Sequence, residues 1–513
     1  MSSRPWDVRL RRVTWDPVPS GWSVRRRSRF LILLGIPCAI WYFGWLLQPN
    51  RVGAAVLYGI LIAAELFNAI QAFGFWWTIS HEKVREKKAP THVVSVDVFI
   101  PVYKEPPDIV DLTVAAAVGL RGAEVRVHVL DDGNDDAMRD LALRYGVGYI
   151  RRREHKGAKA GNINHALAKT DAEFIAVFDS DHVADPGFLE ATLGWMDDPK
   201  IAFVQTPQYY ANTEHNRIAA ASWAQQALFF GAICRGKDGL NAVFCCGTNV
   251  LFRREAFESV GGFPTNSLTE DFELSISLHE RGWRTAYLPK VLASGLGPED
   301  MAAYTTQQLR WARGCLSALP RIVRARLPWK LRAQYLLSGL YWLSGWTVLF
   351  YMMFPLVRIL FGVQPLAHLT APEFLLHFVP YFVVALSTAA LAGAGSYTFT
   401  ALALAAASFW LFIVASLLTL ARRRGSFKVT PKTGATSRQP RAVAPALVAI
   451  AILASVSIWG LANNQDSATF NNAAFALFHI CILMTGCWPA LRRPAPAPDA
   501  TGASAAAVEL RAS

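Results

Sequence analysis

The sequence predicts an α/β domain inserted in an α-helical transmembrane domain of about six spans plus interfacial helices. Hydrophobic residues make up 53% of the 513 residues, with 17 Trp, which is too apolar for an ordinary soluble enzyme. Long apolar runs occupy the two ends of the chain, whereas the middle alternates short β-branched runs with helix-length segments. Lys and Arg stand beside the apolar runs, as they do at the cytoplasmic ends of membrane spans.

The first 79 residues predict a basic cytosolic segment, 1–29, followed by a transmembrane hairpin, 30–79. Phe30 to Leu47 and Val52 to Trp77 are each long enough for a bilayer core, which needs about 20 helical residues. Eight arginines precede the first run, and residues 81–88 after the second are basic, so both flanks are expected in the cytosol. Because no small-residue cleavage site follows the first run, we expect an anchor rather than a cleaved signal peptide.

Residues 80–333 predict a cytosolic parallel α/β domain that ends in interfacial helices. The formal net charge of +13 lies largely beside the apolar runs, so it indicates membrane orientation rather than nucleic-acid binding. The spacing of the cysteines predicts reduced thiols rather than a zinc site or a disulfide framework. The clearest strands are Val93–Val102, Val125–Leu130, Phe174–Phe178 and Ile201–Gln205.

The C-terminal part predicts a hairpin at 334–394, an interfacial helix and loop at 399–442, a hairpin at 443–490 and a disordered tail at 491–513. Phe399 to Leu420 is as apolar as a span. If it crossed the membrane, the basic residues at 422–424 and 428–432 would lie outside, against the charge rule. We therefore predict that this helix lies on the inner surface, which leaves six spans. The alternative is seven spans with some arginine facing lipid.

Acidic residues follow two predicted strands at the point where each strand ends. Asp131 and Asp132 follow one strand, and Asp179 and Asp181 follow another. Because ligands of an open parallel sheet bind at the carboxyl ends of its strands, these carboxylates should converge. Mg²⁺ or Mn²⁺ that bridges to a diphosphate would relieve their repulsion. The alternative is that Asp132 and Asp181 only cap helices.

Two further segments could bind or activate a substrate. The Gly-bearing loop at 155–164, with Lys159, suits a phosphate at a helix N-terminus, although a basic surface loop would have the same composition. In Thr269-Glu270-Asp271, Asp271 is placed to act as general base on an acceptor hydroxyl, or simply to cap the following helix.

A helix that heads toward the membrane carries Gln307, Arg310 and Trp311. Arg310 could neutralise a leaving diphosphate by bidentate contact, and Trp311 could stack on a sugar ring. A tryptophan at this position is also typical of an interfacial anchor.

Taken in this order, the motifs resemble those of the processive family 2 glycosyltransferases, and among them the bacterial cellulose synthase catalytic subunits. The resemblance runs from about residue 93 to residue 434. Its motifs are Asp131-Asp132-Gly133, Lys159-Ala160-Gly161-Asn162, Asp179-Ser180-Asp181, Val204-Gln205-Thr206-Pro207, Phe244-Cys245-Cys246-Gly247-Thr248, Thr269-Glu270-Asp271, Gln307 with Arg310-Trp311, and Phe427-Lys428-Val429-Thr430-Pro431-Lys432.

The resemblance implies a GT-A fold and a role for each motif. Asp271 becomes the general base within the catalytic Thr269-Glu270-Asp271, and Asp179 and Asp181 become the ligands of Mg²⁺ or Mn²⁺. The residues implied to bind the nucleotide sugar are Tyr103, Glu105, Asp131, Asp132, Lys159, Asp179, Gln307, Arg310 and Trp311. The acceptor end would meet Phe244, Cys245, Cys246, Gly247, Thr248 and Trp311. A gating loop over the donor would include Phe427, Val429, Thr430 and Lys432.

The activity implied by the resemblance is that of an inverting hexosyltransferase in the plasma (inner) membrane, with a cytosolic catalytic domain. It would polymerise a UDP-sugar, with UDP-glucose as the first choice, and pass the β-glucan through the bilayer. Its partners would be the donor, the growing polysaccharide, the lipid bilayer and a periplasmic or envelope accessory subunit. The alternatives are a β-1,3-glucan, a mixed-linkage glucan, a mannan or an amino-sugar polymer, a non-processive lipid-linked sugar transferase, and a transporter or inactive assembly subunit.

The sequence departs from the cellulose synthase pattern in ways that bear on the product rather than on the family. Cys245 stands where the family has a second Phe, and Gly157-Ala158 precedes Lys159 in place of His-Ala. Two predicted spans precede the catalytic domain, whereas the bacterial cellulose synthases that the motifs resemble have four. No PilZ-like domain follows the last predicted span, so we expect no direct regulation by cyclic di-GMP.

Overall fold

The computed structural model describes residues 22–214, 216–423 and 438–492. The predicted gating-loop residues Phe427, Val429, Thr430 and Lys432 lie outside the described residues, as do most of the basic N-terminal segment and the tail. Helices α1 (Trp22–Leu46) and α2 (Ala55–Ser80) form the predicted N-terminal hairpin.

The middle of the chain folds into a central seven-stranded sheet and a small three-stranded sheet. The order is β3-β2-β1-β4-β8-β6-β9 in the central sheet and β5-β10-β7 in the small one. The strands are β1 (Ser95–Val102), β2 (Glu124–Asp131), β3 (Gly148–Arg151), β4 (Phe174–Val177), β5 (Val183–Ala184), β6 (Ile201–Gln205), β7 (Tyr209–Tyr210), β8 (Val250–Arg253), β9 (Arg284–Tyr287) and β10 (Ala293–Gly295).

The prediction of a parallel sheet was only partly right, because the central sheet is mixed. Strand β8 runs antiparallel to both of its neighbours, β4 and β6. The chain crosses the carboxyl end of the sheet at residues 244–249 before it enters β8, so β8 starts at the edge where β4 and β6 end. This crossing brings the predicted acceptor motif to the same edge as the acidic strand ends.

Helices cover both faces of the central sheet. Alternate residues of β1 belong to different cores, with Val98 and Ile100 on one face and Phe99 on the other, all of them fully buried. A strand buried on both faces explains the nearly continuous apolar run in the sequence. The helices of this domain are α3 (Pro107–Val118), α4 (Asp136–Tyr145), α5 (Ala158–Leu167), α6 (Phe188–Thr192), α7 (Arg217–Leu228), α8 (Cys234–Gly239), α9 (Arg254–Ser259), α10 (Glu270–Glu280) and α11 (Met301–Arg324).

The C-terminal part is helical, and six helical segments of the described residues are long and apolar enough to cross a membrane. This number agrees with the six spans that charge topology predicts. The remaining helices are α12 (Trp329–Leu340), α13 (Ser344–Phe361), α14 (Ala371–Ala392), α15 (Phe399–Ala407), α16 (Phe409–Leu420), α17 (Ala444–Asn463) and α18 (Ser467–Leu491).

The helix predicted to lie on the inner surface is broken in two. Helices α15 and α16 meet at an angle of 44°, and as one bent element they could also count as a seventh span. Ser408 stands at the bend and its hydroxyl donates to the carbonyl of Leu404, a contact that tends to bend helices. Helix α16 packs on α11, and Arg313 of α11 donates to the carbonyl of Arg423 at 2.6 Å. The interfacial placement stays a prediction that this contact with the catalytic domain supports.

Helix α8 joins the catalytic domain to the membrane helices. A Cβ atom at Gly236 would lie 2.2 Å from the carbonyl oxygen of Thr78 in α2, so only glycine allows this approach. Next to it, the buried ammonium of Lys237 donates to the side chain and carbonyl of Gln334 in α12 and to Ser338, at 3.0–3.3 Å. All three of these partners are neutral. Burial therefore lowers the pKa of Lys237 from 10.5 to about 8.

This buried lysine predicts a measurable dependence of stability on pH. The folded protein binds the Lys237 proton more weakly than the unfolded chain, so stability should rise between about pH 8 and pH 10.5, by up to the order of 3 kcal/mol. Lys237→Met removes this contribution, so the thermal midpoint of the wild type should rise relative to that of the variant between about pH 8 and pH 10.5. Lys290→Met, at an exposed lysine, is the control and should leave the pH profile unchanged. Parallel profiles for wild type and Lys237→Met would contradict the assignment.

Candidate active site

A cavity of about 440 Å³ opens at the edge of the central sheet where β1 and β4 end. It collects most of the residues that the sequence singled out. The predicted residues that line it are Tyr103, Glu105, Asp132, Lys159, Asp179, Asp181, Cys246, Gly247, Thr269, Glu270, Asp271, Gln307, Arg310 and Trp311.

Asp131 does not line this cavity, although it was predicted beside Asp132. Its fully buried carboxylate accepts hydrogen bonds from the backbone N–H groups of Gly133 and Asp135 and from the hydroxyl of Tyr149, at 2.6–2.9 Å. Asp131 therefore shapes the turn after β2. The sequence could not separate the two neighbours, because both follow the same strand.

Asp132 faces the cavity with its charge already paired. The guanidinium of Arg152 binds both carboxylate oxygens, at 2.5 and 2.6 Å, and Nδ1 of His155 lies 2.9 Å from one of them. Arg152 was not among the predicted site residues, and His155 was included only as the first residue of the Gly-bearing loop at 155–164. Asp132 does not cap the next helix, since Asp135 accepts the hydrogen bond at the start of α4.

Asp179 and Asp181 come together with a third side chain, His182, and could hold a cation. One ligand atom of each residue lies within 4.8 Å of the other two. Nε2 of His182 is buried without a hydrogen-bond partner in the described part of the chain, so this nitrogen is available to bind a ligand. Two carboxylates and an imidazole fit a divalent cation such as Mg²⁺ or Mn²⁺. His182 was missed, although its position directly after Asp179-Ser180-Asp181 was a signal.

Lys159 connects the acidic cluster to the predicted acceptor motif. It lies in the first turn of α5, after Gly157, whose φ of +80° favours glycine. Its ammonium contacts the carboxylate of Asp179 and donates to the carbonyl of Gly247 at 2.7 Å. Burial works against the charge, but Asp179, together with Glu270 and Asp271, more than compensates and holds the pKa of Lys159 above its usual value.

Asp271 lies in the first turn of α10 and lines the same cavity. Burial, with the added charge of Glu270, raises the pKa of Asp271 to about 7, although Lys159 and Arg310 act in the other direction. Its Oδ2 lies 3.0 Å from the position that a Cβ atom of Gly247 would occupy, so a side chain there would collide with the carboxylate. A carboxylate that exchanges its proton near neutral pH is suited to act as general base.

The pKa of Asp271 predicts the pH dependence of any reaction that needs it as a base. Because the pKa is raised, Asp271 is protonated below about pH 7, and kcat/KM should rise as the pH increases through 7. Glu270→Gln removes the charge that helps to raise this pKa, so the rising limb should move to lower pH. Initial rates between about pH 5.5 and 8.5 test both points. If Glu270→Gln left the rising limb of the pH profile at the same pH, that limb would belong to the titration of a group other than Asp271.

Helix α11 supplies the side of the cavity nearest the membrane helices. Gln307, Arg310 and Trp311 are spaced so that their side chains share one face of the helix. The same helix packs on α10, which carries Asp271, and on α12 and α16. This shared helix therefore connects the cavity mechanically with the membrane-facing helices.

The predicted acceptor motif is split between the cavity wall and the layer behind it. Cys246 and Gly247 line the cavity. Phe244 instead packs on Phe272 with ring centroids 4.9 Å apart, and the hydroxyl of Thr248 accepts the backbone N–H of Asp179 at 2.8 Å. Cys245 is buried, and its backbone N–H donates to Ser275 of α10 at 2.7 Å. These three residues thus position the wall rather than line it.

Comparison with known proteins agrees with this geometry. Residues 174–421 match the family described as glycosyl transferase family group 2. The chain is 33% identical over 429 residues to the UDP-forming cellulose synthase catalytic subunit of Pseudomonas fluorescens, covering 80% of this chain and 58% of the relative. It is 34% identical over 437 residues to cellulose synthase 1 of Komagataeibacter xylinus, covering 80% of this chain and 28% of the relative. The chain thus spans less than two thirds of the length of these relatives.

Among solved structures, a mannosyltransferase from Pyrobaculum calidifontis, in complex with GDP-Man and Mn²⁺, superposes with a TM-score of 0.53. It is 17% identical and covers 72% of this chain and 99% of its own. At that identity the likeness concerns the fold, and it confirms the predicted GT-A architecture. This chain is thus a multi-pass membrane protein with a family 2 glycosyltransferase domain, and it is a homologue of the cellulose synthase catalytic subunits.

Proposed function

We propose that the protein is a processive, inverting hexosyltransferase that polymerises a UDP-sugar into a β-glucan, with UDP-glucose as the donor. One observation carries the proposal. A buried carboxylate whose pKa is raised to about 7, Asp271, shares a cavity with Asp179, Asp181 and His182, whose ligand atoms lie close enough together to hold a cation. A base for the acceptor and a site for a diphosphate are the two requirements of glycosyl transfer from a nucleotide sugar.

In the proposed reaction, Asp271 removes the proton of the acceptor hydroxyl as that oxygen attacks the anomeric carbon from the side opposite the diphosphate. A single displacement of this kind gives a β linkage from an α donor. Gly247 leaves the space in which the hydroxyl can approach the carboxylate. Trp311 offers a flat surface on which the acceptor sugar can stack.

The departing diphosphate needs positive charge, and the chain supplies two cations on the cavity wall, Lys159 and Arg310. Asp179, Asp181 and His182 would hold Mg²⁺ or Mn²⁺, which would supply further charge to the leaving oxygen. Fixed charges at the site where charge develops lower the barrier without reorganisation. Tyr103, the residue after β1, lines the cavity and would contact the base of the nucleotide.

We also propose that the catalytic domain lies in the cytosol and that the membrane helices pass the polymer across the inner membrane. The basic flanks of the predicted spans support this orientation. The packing of α11 against α12 and α16 supports a path from the cavity to the bilayer. A partner subunit on the far side of the membrane would receive the chain.

Donor and linkage can be tested on membrane vesicles that contain the protein. We expect radiolabel from UDP-glucose, and not from other nucleotide sugars, to enter a long polymer that a β-glucanase degrades. Digestion with linkage-specific glycanases identifies the bond. A short glycolipid as the only product would contradict the processive reaction and favour a non-processive transferase. If only another nucleotide sugar labelled the polymer, UDP-glucose would not be the donor.

A further inference from the structure

Four polar side chains from three elements meet at one wall of the cavity, and we call them the hydroxyl niche. They are Tyr210 of β7, Ser222 and Gln226 of α7, and Gln307 of α11. Tyr210 and Gln307 line the cavity. The amide of Gln226 donates to the hydroxyl of Tyr210, which also lies beside Gln307 and Ser222. Burial raises the pKa of Tyr210 to about 12, so its hydroxyl keeps its proton at neutral pH.

Three polar atoms of the hydroxyl niche have no hydrogen-bond partner in the described part of the chain. They are Oε1 of Gln307, Oε1 of Gln226 and Oγ of Ser222, and all three atoms are buried. Ser222 is fully buried and Gln226 is 9% exposed. A buried polar atom without a partner is unfavourable, and of these three residues only Gln307 lines the cavity, so a bound group that donates a hydrogen bond should reach its Oε1.

The hydroxyl niche is also rigid. The ring of Tyr210 lies against the backbone of Gly297, where a Cβ atom would be 2.6 Å from it. Gly297 is fixed in turn by Asn212, which accepts its N–H at 2.9 Å and donates to its carbonyl at 3.1 Å. The backbone of Gly297 therefore blocks movement of the Tyr210 ring away from the cavity, which keeps its hydroxyl next to the amide of Gln307.

We propose that the hydroxyl niche binds one hydroxyl group of a sugar, which donates its hydrogen to Oε1 of Gln307. The amide nitrogen of Gln307 would donate to the hydroxyl of Tyr210, which fixes the amide so that its oxygen points into the cavity. Tyr210 and Gln226 are then positioning residues that act through Gln307. This inference rests on the proposed function, because it requires a sugar in this cavity, held either by the donor or by the end of the acceptor chain.

The test compares Tyr210→Phe with Tyr304→Phe, a matched control. Tyr304 is also fully buried, and its hydroxyl donates to Gln225 of α7 at 3.0 Å, but it does not line the cavity. Binding is measured by displacement of radiolabelled UDP-glucose with analogues that each lack one hydroxyl, so the readout does not depend on turnover. In the wild type, loss of one particular hydroxyl should weaken binding about tenfold. In Tyr210→Phe this penalty should largely disappear, whereas Tyr304→Phe should keep it.

A second arm separates donor from acceptor. If the acceptor supplies the hydroxyl, the analogues bind alike, but elongation at saturating UDP-glucose falls about tenfold in Tyr210→Phe and not in Tyr304→Phe. The double variant Tyr210→Phe, Gln307→Met should then lose no more elongation rate than Gln307→Met alone, since both substitutions act through the amide of Gln307. If Tyr210→Phe and Tyr304→Phe gave the same analogue binding and the same elongation rate, the proposed role of the hydroxyl niche would be wrong. A wild type that binds UDP-glucose but transfers no sugar would overturn the proposed function instead.

Discussion

Asp271→Asn is expected to lower the rate of sugar transfer by about 10²–10⁴-fold, the range for loss of a general base. The amide has nearly the same shape but cannot accept the proton of the acceptor hydroxyl. Its oxygen can still accept the backbone N–H of Phe272, a contact of 2.8 Å in the wild type, so α10 should keep its start. The rate is measured with radiolabelled UDP-glucose, and nucleotide binding is measured separately with labelled UDP.

The matched control for this substitution lies on the same helix. Glu273→Gln also replaces a carboxylate by an amide, but Glu273 pairs with Arg321 at 3.0 Å and does not line the cavity. We expect it to retain most of the activity. Turnover that survives Asp271→Asn, with Glu273→Gln unchanged, would show that another group takes the proton. Loss of UDP binding in Asp271→Asn would indicate damage to the site rather than loss of a base.

The parts of the site that the sequence predicted best are those fixed by local rules. Asp132 and Asp179 follow strands, and the carboxyl ends of strands meet at one edge of a sheet, so their convergence in the cavity could be expected. Gln307 and Trp311 are separated by one helical turn, so they share a face wherever the helix lies.

What the sequence could not predict depends on contacts between distant segments. The pairing of Asp132 with Arg152 depends on how the chain after β3 folds back over the sheet edge. The role of Asp131 in a turn depends on Tyr149, in the neighbouring strand. The contact between Gln226 and Tyr210 joins α7 to the small sheet, which no periodicity in the sequence indicates. Reversal of β8 depends on the path of the preceding segment, and apolar strands look alike in either direction.

The acidic cluster is where a second large effect is expected, through the cation. Asp181→Asn should reduce activity at saturating Mg²⁺ or Mn²⁺ by roughly 100-fold or more, because a bound cation contributes several kcal/mol to stabilising a departing diphosphate. The amide keeps an oxygen that can accept the backbone N–H of Leu296, now 3.1 Å from the carboxylate, so the loop at 296–299 should stay in place.

The metal itself gives this prediction a readout that does not depend on turnover. Binding of Mn²⁺, measured by electron paramagnetic resonance, should be clearly weaker in Asp181→Asn than in the wild type, and a chelator should abolish wild-type activity until Mg²⁺ or Mn²⁺ is restored. Asp185→Asn is the control, since Asp185 is exposed and accepts the N–H of Gly187 at 2.7 Å, outside the cavity. If Asp181→Asn bound Mn²⁺ as well as Asp185→Asn does, Asp181 would not be a ligand. Its carboxylate would then have a structural role, which includes its contacts with Leu296 and His182.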